Sequence, residues 1–198
     1  QLEDRSKPLI KMDTISMWLK VVVACIPGAI VTLLFDDYIE AHLHTAPVIA
    51  AMLIVYGVAF IVIETWNKHQ VPTVPRLEDI TYRTAFIIGL FQVLSIIPGT
   101  SRSGATIVGA LLIGVSRVAA AEFTFFLAVP VMFGLSAIKL LKFGFSFTGA
   151  ELLVLGAGTL VAFLTSVVVI KFLMGYIRKH DFKVFGWYRI ALGVIVLL

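Results

Sequence analysis

Charge is what this sequence has least of. Asp, Glu, Lys and Arg make up 14% of its 198 residues and hydrophobic residues 60%, against about 25% and about 45–50% in soluble domains. That balance excludes a soluble enzyme and a soluble nucleic-acid-binding domain. The net charge of +4 does not restore a nucleic-acid partner, because the basic residues of a membrane protein gather in its cytoplasmic loops. Cysteine is nearly absent: Cys25 stands alone, forms no internal disulfide, and with no Cys/His cluster beside it is no metal ligand. Inside an apolar run it reads as a small buried hydrophobe. A signal peptide's basic stretch, short apolar core and small-residue cleavage site are missing, and there is no low-complexity tract. What is abundant is apolar surface and glycine. Mean hydropathy is +1.01, and fifteen glycines suit helices whose backbones approach closely in lipid. The composition is that of an integral membrane protein.

A spanning helix needs about 20 mostly apolar residues. Runs 14–35, 46–65, 118–139 and 149–173 meet that length, and a shorter fifth run covers 184–198. Polar connectors lie at 36–45, 66–80, 140–148 and 174–183, and Pro72 and Pro75 make the second of them irregular. Residues 81–117 follow another scheme. Thr81–Ile97 predicts a helix of about 25 Å, broken at Pro98-Gly99, and a second helix from about Ala105 to Gly114 would be only about 15 Å long. Neither crosses a hydrocarbon core of about 30 Å, so the segment reads as a re-entrant hairpin. With that reading, residues 1–13, 66–83, 117 and 171–183 share one side. That side collects Arg5, Lys7, Lys11, Lys68, Arg76, Arg83, Arg117, Lys171, Arg178, Lys179 and Lys183, which makes it cytoplasmic. The pairs 14–35/46–65 and 149–173/184–198 then run with opposite orientation, the mark of an inverted repeat. The expected fold is an all-α integral membrane protein: one membrane domain over 1–198, with five spanning helices and one re-entrant helix hairpin, part of an inverted-topology repeat. Beginning at Gln1 and lacking a hairpin and a helix before its first pair, the sequence is expected to start partway into a longer parent.

Chemistry concentrates in Pro98-Gly99-Thr100-Ser101-Arg102-Ser103-Gly104-Ala105-Thr106. An arginine inside the membrane costs at least about 2.5 kcal/mol and is a functional candidate by default. Its fork of donors matches a phosphate, and Thr100, Ser101, Ser103 and Thr106 add hydroxyls. Gly104 opens a helix whose first N–H groups are unpaired and favour an anion. Gly99 and Gly104 allow close approach and turn dihedrals. Two other readings stay open from the residues alone. Arg102 would be a structural pin if it paired with Glu122 or with backbone carbonyls, and broken helices with Gly-rich turns also build transporter sites.

The run PGTSRSGAT at 98–106, with Gln92 before it and Ala121-Glu122-Phe123-Thr124-Phe125-Phe126-Leu127-Ala128-Val129-Pro130 after it, resembles the undecaprenyl-pyrophosphate phosphatase family of the bacitracin-resistance type. Pro27-Gly28, Tyr82-Arg83 and Tyr188-Arg189 extend the similarity along the chain. The resemblance implies hydrolysis of undecaprenyl pyrophosphate to undecaprenyl phosphate, which recycles the carrier lipid of cell-wall synthesis. It implies two inverted repeats meeting at a mid-membrane site in the bacterial plasma membrane, open to the periplasmic or extracellular side. By motif position Ser101, Arg102 and Thr106 correspond to family residues that bind the pyrophosphate, with Arg102 and Ser101 taken as catalytic. The residues themselves add Gly99, Thr100, Ser103 and Gly104 on the substrate phosphates and set Gln92 and Glu122 behind them. The resemblance also implies a divalent cation, Mg²⁺ or Ca²⁺, with ligands mostly outside this chain. The family's second motif, with two glutamates and a downstream Ser and His, has no match in 1–198, so the chain is expected to carry half of an active site. The partners implied are the polyprenyl pyrophosphate lipid, the bilayer and the missing N-terminal segment, with a homodimer compatible and no nucleic acid. A transporter of an anion or of the polyprenyl phosphate is the competing function; it needs no hydrolytic carboxylate.

Other polar residues have plainer readings. His42 and His44, with Asp36, Asp37 and Glu40, suggest a solvated outer loop before a metal site. His69 and His180 fall in loops without a role. Glu64 beside Trp66 reads as interfacial. Lys20 and Arg189 can snorkel, with Arg189 also within reason as a contact to lipid phosphate. Gln92 is read evenly as a polar contact to the site and as an interhelical hydrogen bond.

Overall fold

The computed structural model describes residues 12–68, 70–144 and 147–198; Arg5, Lys7, Lys11 and His69 lie outside them. The described chain is helical: α1 (Met12–Leu43), α2 (Ala46–Asn67), α3 (Tyr82–Val93), α4 (Arg102–Leu112), α5 (Arg117–Phe143), α6 (Gly149–Ile177) and α7 (Lys183–Leu197), with short 3-10 turns at Leu77–Asp79 and Leu94–Ile96. α1, α2, α5 and α6 are long and apolar enough to cross a membrane, whereas α7 has fifteen residues.

Element ends follow local chemistry. α1 continues past residue 35 through the expected connector, which holds neither Gly nor Pro before Pro47. A helix carries its own backbone hydrogen bonds above the bilayer as well as inside it. There the His42 ring stacks on Tyr38, and its Nδ1–H donates to the Tyr38 carbonyl at 2.8 Å; the acidic side chains at 36, 37 and 40 lie outside the description. α2 tolerates Pro47 because its first turn needs no N–H donor there. α3 starts at Thr81, whose hydroxyl accepts from the Thr84 N–H at 3.1 Å. It ends where Ile97, ahead of Pro98, is forced into extended backbone (φ −72, ψ 122). α4 begins three residues before the expected Ala105, because Ser101 caps it.

The chain before α3 and the chain after α4 run side by side. Val74 forms an isolated parallel bridge with Val115: the Val74 N–H donates to Gly114 O at 3.1 Å and the Ser116 N–H to Val74 O at 2.9 Å. The Ser116 hydroxyl adds a bond to Pro75 O at 2.8 Å. On the exposed loop before α3, hydrogen bonds from Arg76 hold the Asp79 carboxyl below its ordinary range, though such an exposed pair adds little stability.

α4 lies at the centre. Gly104, Ala105, Thr106, Val108, Gly109, Ala110 and Leu111 are buried among Val21 and Ala24 of α1, Phe60 and Ile63 of α2, Ile88 of α3 and Phe123 and Leu127 of α5. Its small residues let four helices close around non-helical backbone, which is tolerated at membrane depth only under protein or water. α1 packs on α3, and α2 packs most extensively on α7. At that second crossing, a Cβ on Gly57 would lie 2.7 Å from the Gly186 carbonyl oxygen, and a Cβ on Gly186 2.7 Å from that of Gly57. By contrast α6 turns most of its Leu, Val and Phe side chains outward.

Glu64 departs from its interfacial reading. Its side chain is 0% exposed and accepts from Arg117 Nε at 2.7 and 2.9 Å and from Nη2 at 2.6 Å. The pair ties the end of α2 to the start of α5. Arg117 remains 37% exposed, but losing it would strand a fully buried carboxylate, so this contact locks the two helices in register.

Gly57→Val should destabilise the protein by about 1–3 kcal/mol through overpacking, seen as a lower thermal unfolding midpoint in detergent. Gly156→Val in α6, where nothing lies within 4 Å of the new carbon, should leave the midpoint unchanged. Equal loss from both would disprove the close α2–α7 crossing.

Candidate functional site

The turn between α3 and α4 depends on one residue that other types cannot replace. Gly99 has φ +90, and a Cβ there would meet Ile49 of α2, with 2.5 Å to its carbonyl oxygen. Both the dihedral and the contact require glycine. Thr100 is fully buried, and its N–H donates to Ile97 O at 3.2 Å. Ser101 has φ 67 and ψ 120, the one positive φ outside glycine among the described residues. Strain of this kind costs on the order of 1–3 kcal/mol and clusters at functional sites. Its hydroxyl accepts from the Gly104 N–H at 3.3 Å and lies 3.4 Å from the Ser103 hydroxyl. Ser101 and Ser103 are exposed at the head of α4.

Arg189 holds the turn from the far end of the sequence. From the middle of α7, its Nη2 donates to Gly99 O at 2.6 Å and to Thr100 O at 2.9 Å. Its guanidinium carbon sits 5.9 Å from the centre of the Tyr56 ring. These carbonyls belong to the break in the helix, so no helical N–H can reach them, and leaving one buried and unbonded costs about 1–3 kcal/mol. The snorkelling reading of Arg189 therefore gives way to an inward one. The sequence signal was there: a charged residue midway along the last apolar run.

A cavity of about 250 Å³ opens beside the turn. Ser101, Ser103, Gly104, Thr124 and Arg189 supply its polar wall, and Phe60, Ile107, Phe125, Leu173, Phe182 and Phe185 most of its apolar one. Among the described residues no carboxylate lines it. The first N–H groups of α4 have no carbonyl within the helix to bond. Hydroxyls, a helix N-terminus and a guanidinium without a counter-charge make a seat for an anion.

The other expected site residues stand around this cavity without lining it. Arg102 is half-buried on the α1 side, within electrostatic reach of Cys25. It joins no ion pair among the described residues, with Glu122 or otherwise, and its Nη1 is buried without a partner. Thr106 is fully buried, and its hydroxyl bonds to Arg102 O and Ser103 O at 3.1 Å and to the Thr124 hydroxyl at 3.0 Å. Thr106 thus shapes the first turn of α4 from behind. Gln92 is 5% exposed and its Oε1 has no partner; a Cβ on Gly28 of α1 would sit 3.0 Å from its Nε2. Glu122 is half-exposed on α5. Thr100 Oγ1 and Arg189 Nε are also buried and unbonded, so four polar atoms without partners surround one turn.

The divalent cation does not fit these residues. The turn offers hydroxyls and cations where Mg²⁺ or Ca²⁺ asks for carboxylate and carbonyl oxygens, and the described residues contain no group of three or more His, Cys, Asp or Glu.

Comparison with known proteins adds the following. The profile of the family described as Bacitracin resistance protein BacA matches residues 1–195. An Undecaprenyl-diphosphatase of Enterococcus faecalis is 70% identical over 198 residues, 100% of this chain and 72% of that protein. One of Desulfitobacterium hafniense is 63% identical over 190 residues, 96% of this chain and 68% of that protein. One of Lachnoclostridium phytofermentans is 62% identical over 190 residues, 96% and 69% of the two.

Ser101 separates strain from capping. Ser101→Gly relieves the positive φ and, as a cap, loses only a few tenths of a kcal/mol, so stability should hold or rise. Ser101→Ala keeps the strain and loses the cap, for a loss of about 1 kcal/mol. Unfolding midpoints followed by helical circular dichroism should rank Gly at or above Ser and both above Ala; Ala above Gly would refute the strained turn.

Proposed function

The chain belongs to the bacitracin resistance protein BacA family, and on that premise we propose that it dephosphorylates undecaprenyl diphosphate at the Thr100–Gly104 turn. The observation that carries this reading is the cavity whose polar wall joins the head of α4 to Arg189 and holds no carboxylate. In the reaction the bond from the bridging oxygen to the terminal phosphorus breaks. Water oxygen ends on inorganic phosphate, and the lipid keeps its monophosphate. Negative charge on the phosphoryl oxygens is what the site must stabilise as that bond breaks. The hydroxyls of Ser101 and Ser103 on the cavity wall are assigned to this role. So is Arg102, which stands outside that wall with a buried Nη1 that has no partner and would have to turn toward the phosphate. Gly99, Thr100 and Gly104 shape the backbone around the anion. Thr106 fixes the geometry of α4 from behind, and Gln92 and Glu122 stand further out. Arg189 orients the turn through its carbonyls. The apolar wall from Ile107 to Phe182 accommodates the first isoprene units of the tail.

The same reading includes a topology. α1, α2, α5, α6 and α7 cross the membrane, while α3 and α4 enter and leave on one side. The paired backbone at Val74 and Val115 supports it, as does the length of α4, about 16 Å at 1.5 Å per residue. The reciprocal Gly57–Gly186 contact supports an inverted repeat centred on α2 and α7. Lysine and arginine distribution puts the Val74–Val115 end in the cytoplasm, so the turn opens toward the outer face of the bacterial plasma membrane.

Arg102→Ala should reduce phosphate release by the intact enzyme to near background without preventing membrane insertion. Arg102→Lys should also be severely impaired, since a point charge lacks the fork. Near-normal turnover by the Lys variant would remove Arg102 from its role. Single cysteines placed at 72 and at 116 should react with a membrane-impermeant reagent only from the cytoplasmic side; labelling from opposite sides would make 81–117 a spanning unit.

A further inference from the structure

A second cavity, of about 340 Å³, lies at the other end of α4, roughly 16 Å along that helix from the turn. Three cations from three segments meet on its wall: Lys68 after α2, Arg117 at the start of α5 and Arg178 after α6. Thr73, Ser116 and Asn67 add polar groups, and among the described residues no Asp or Glu lines it. The two nearby carboxylates are already engaged. Glu64 is buried under Arg117, and Asp181 accepts from the Lys183 N–H at 3.2 Å. Arg117 spends Nε and Nη2 on Glu64, which leaves Nη1 free of a protein bond among the described residues. Arg117 and Val118 are the first two residues of a 27-residue helix, so their N–H groups have no carbonyl within it to bond. Trp66, at the rim, is half-exposed, a setting typical of the headgroup level.

We propose that this cavity binds a phosphate group, carried by an anionic phospholipid or free as inorganic phosphate. Glu64 offsets Arg117, but Lys68 and Arg178 join no ion pair among the described residues, and an anion set between them and the open edge of Arg117 lowers their repulsion. A guanidinium with one edge fixed by Glu64 and the other open is pre-organised for a phosphate oxygen. Basic pockets between membrane helices are a recurrent seat for phospholipid headgroups. The site is separate from the turn and stands whether or not the turn hydrolyses a pyrophosphate.

The test uses the purified chain in detergent, with lipid retention read by native mass spectrometry. Phosphatidylglycerol should be retained in preference to phosphatidylcholine, one molecule per chain. The double variant Lys68→Gln/Arg178→Gln spares Arg117, which holds Glu64, and should weaken that retention about tenfold. Lys139→Gln/Lys142→Gln removes the same charge from exposed positions on α5 and should not. Displacement of the lipid by millimolar inorganic phosphate would identify free phosphate as a ligand of the same seat; lipid held in its presence would identify the headgroup. The proposal is overturned if phosphatidylglycerol shows no preference and inorganic phosphate leaves tryptophan fluorescence unchanged. It is overturned equally if the two double variants lose lipid to the same extent.

Discussion

Two hydrogen bonds from one guanidinium hold the centre of this molecule. A chain that breaks its helix inside a bilayer exposes carbonyls that neither water nor lipid can satisfy. Arg189 takes the carbonyls of Gly99 and Thr100, and the break becomes a fixed turn. The position of α4 follows from that, as does the strained Ser101 that caps it. The inward pull on Arg189 also explains why α7 presses so closely on α2, with glycine facing glycine where the backbones cross.

The other end of the hairpin is held differently. There the chain on either side of α3 and α4 pairs with itself at Val74 and Val115, and Glu64–Arg117 fastens α5 to α2. One end is thus tied by charge to backbone and the other by charge to charge. Between them α4 buries five small residues, Gly104, Ala105, Thr106, Gly109 and Ala110, which lets its neighbours close around it. A rigid mounting of this kind suits a site that works by placing donors where charge develops, since donors that need not reorganise stabilise that charge most effectively.

Much of this was legible in the residues. Run length gave the long apolar helices and Pro98 gave the break between α3 and α4. Four things escaped. Glu64 looked interfacial because a carboxylate near the end of an apolar run usually is; its partner is 53 positions away, and sequence does not show such pairings. Arg189 looked free for the same reason, its partners lying 89 and 90 positions back. Thr106 carried the same chemical signature as Ser101 and Ser103, yet helical periodicity turns it toward Thr124 of α5 while the two serines face the cavity. The end of α1 was misjudged because polarity marks where the hydrocarbon stops, while a helix stops only where its backbone chemistry changes.

The distance along the chain between the turn and its clamp carries a consequence for biosynthesis. Gly99 and Thr100 leave the ribosome about 90 residues before Arg189, which at roughly 5–20 residues per second is an interval on the order of ten seconds. Throughout it the nascent hairpin has unsatisfied carbonyls and no arginine to bind them. The hairpin must then wait near the translocon or the headgroups, where water can serve those carbonyls, and move to depth only as α7 arrives. Settling of the turn is therefore a late event, timed by the arrival of α7.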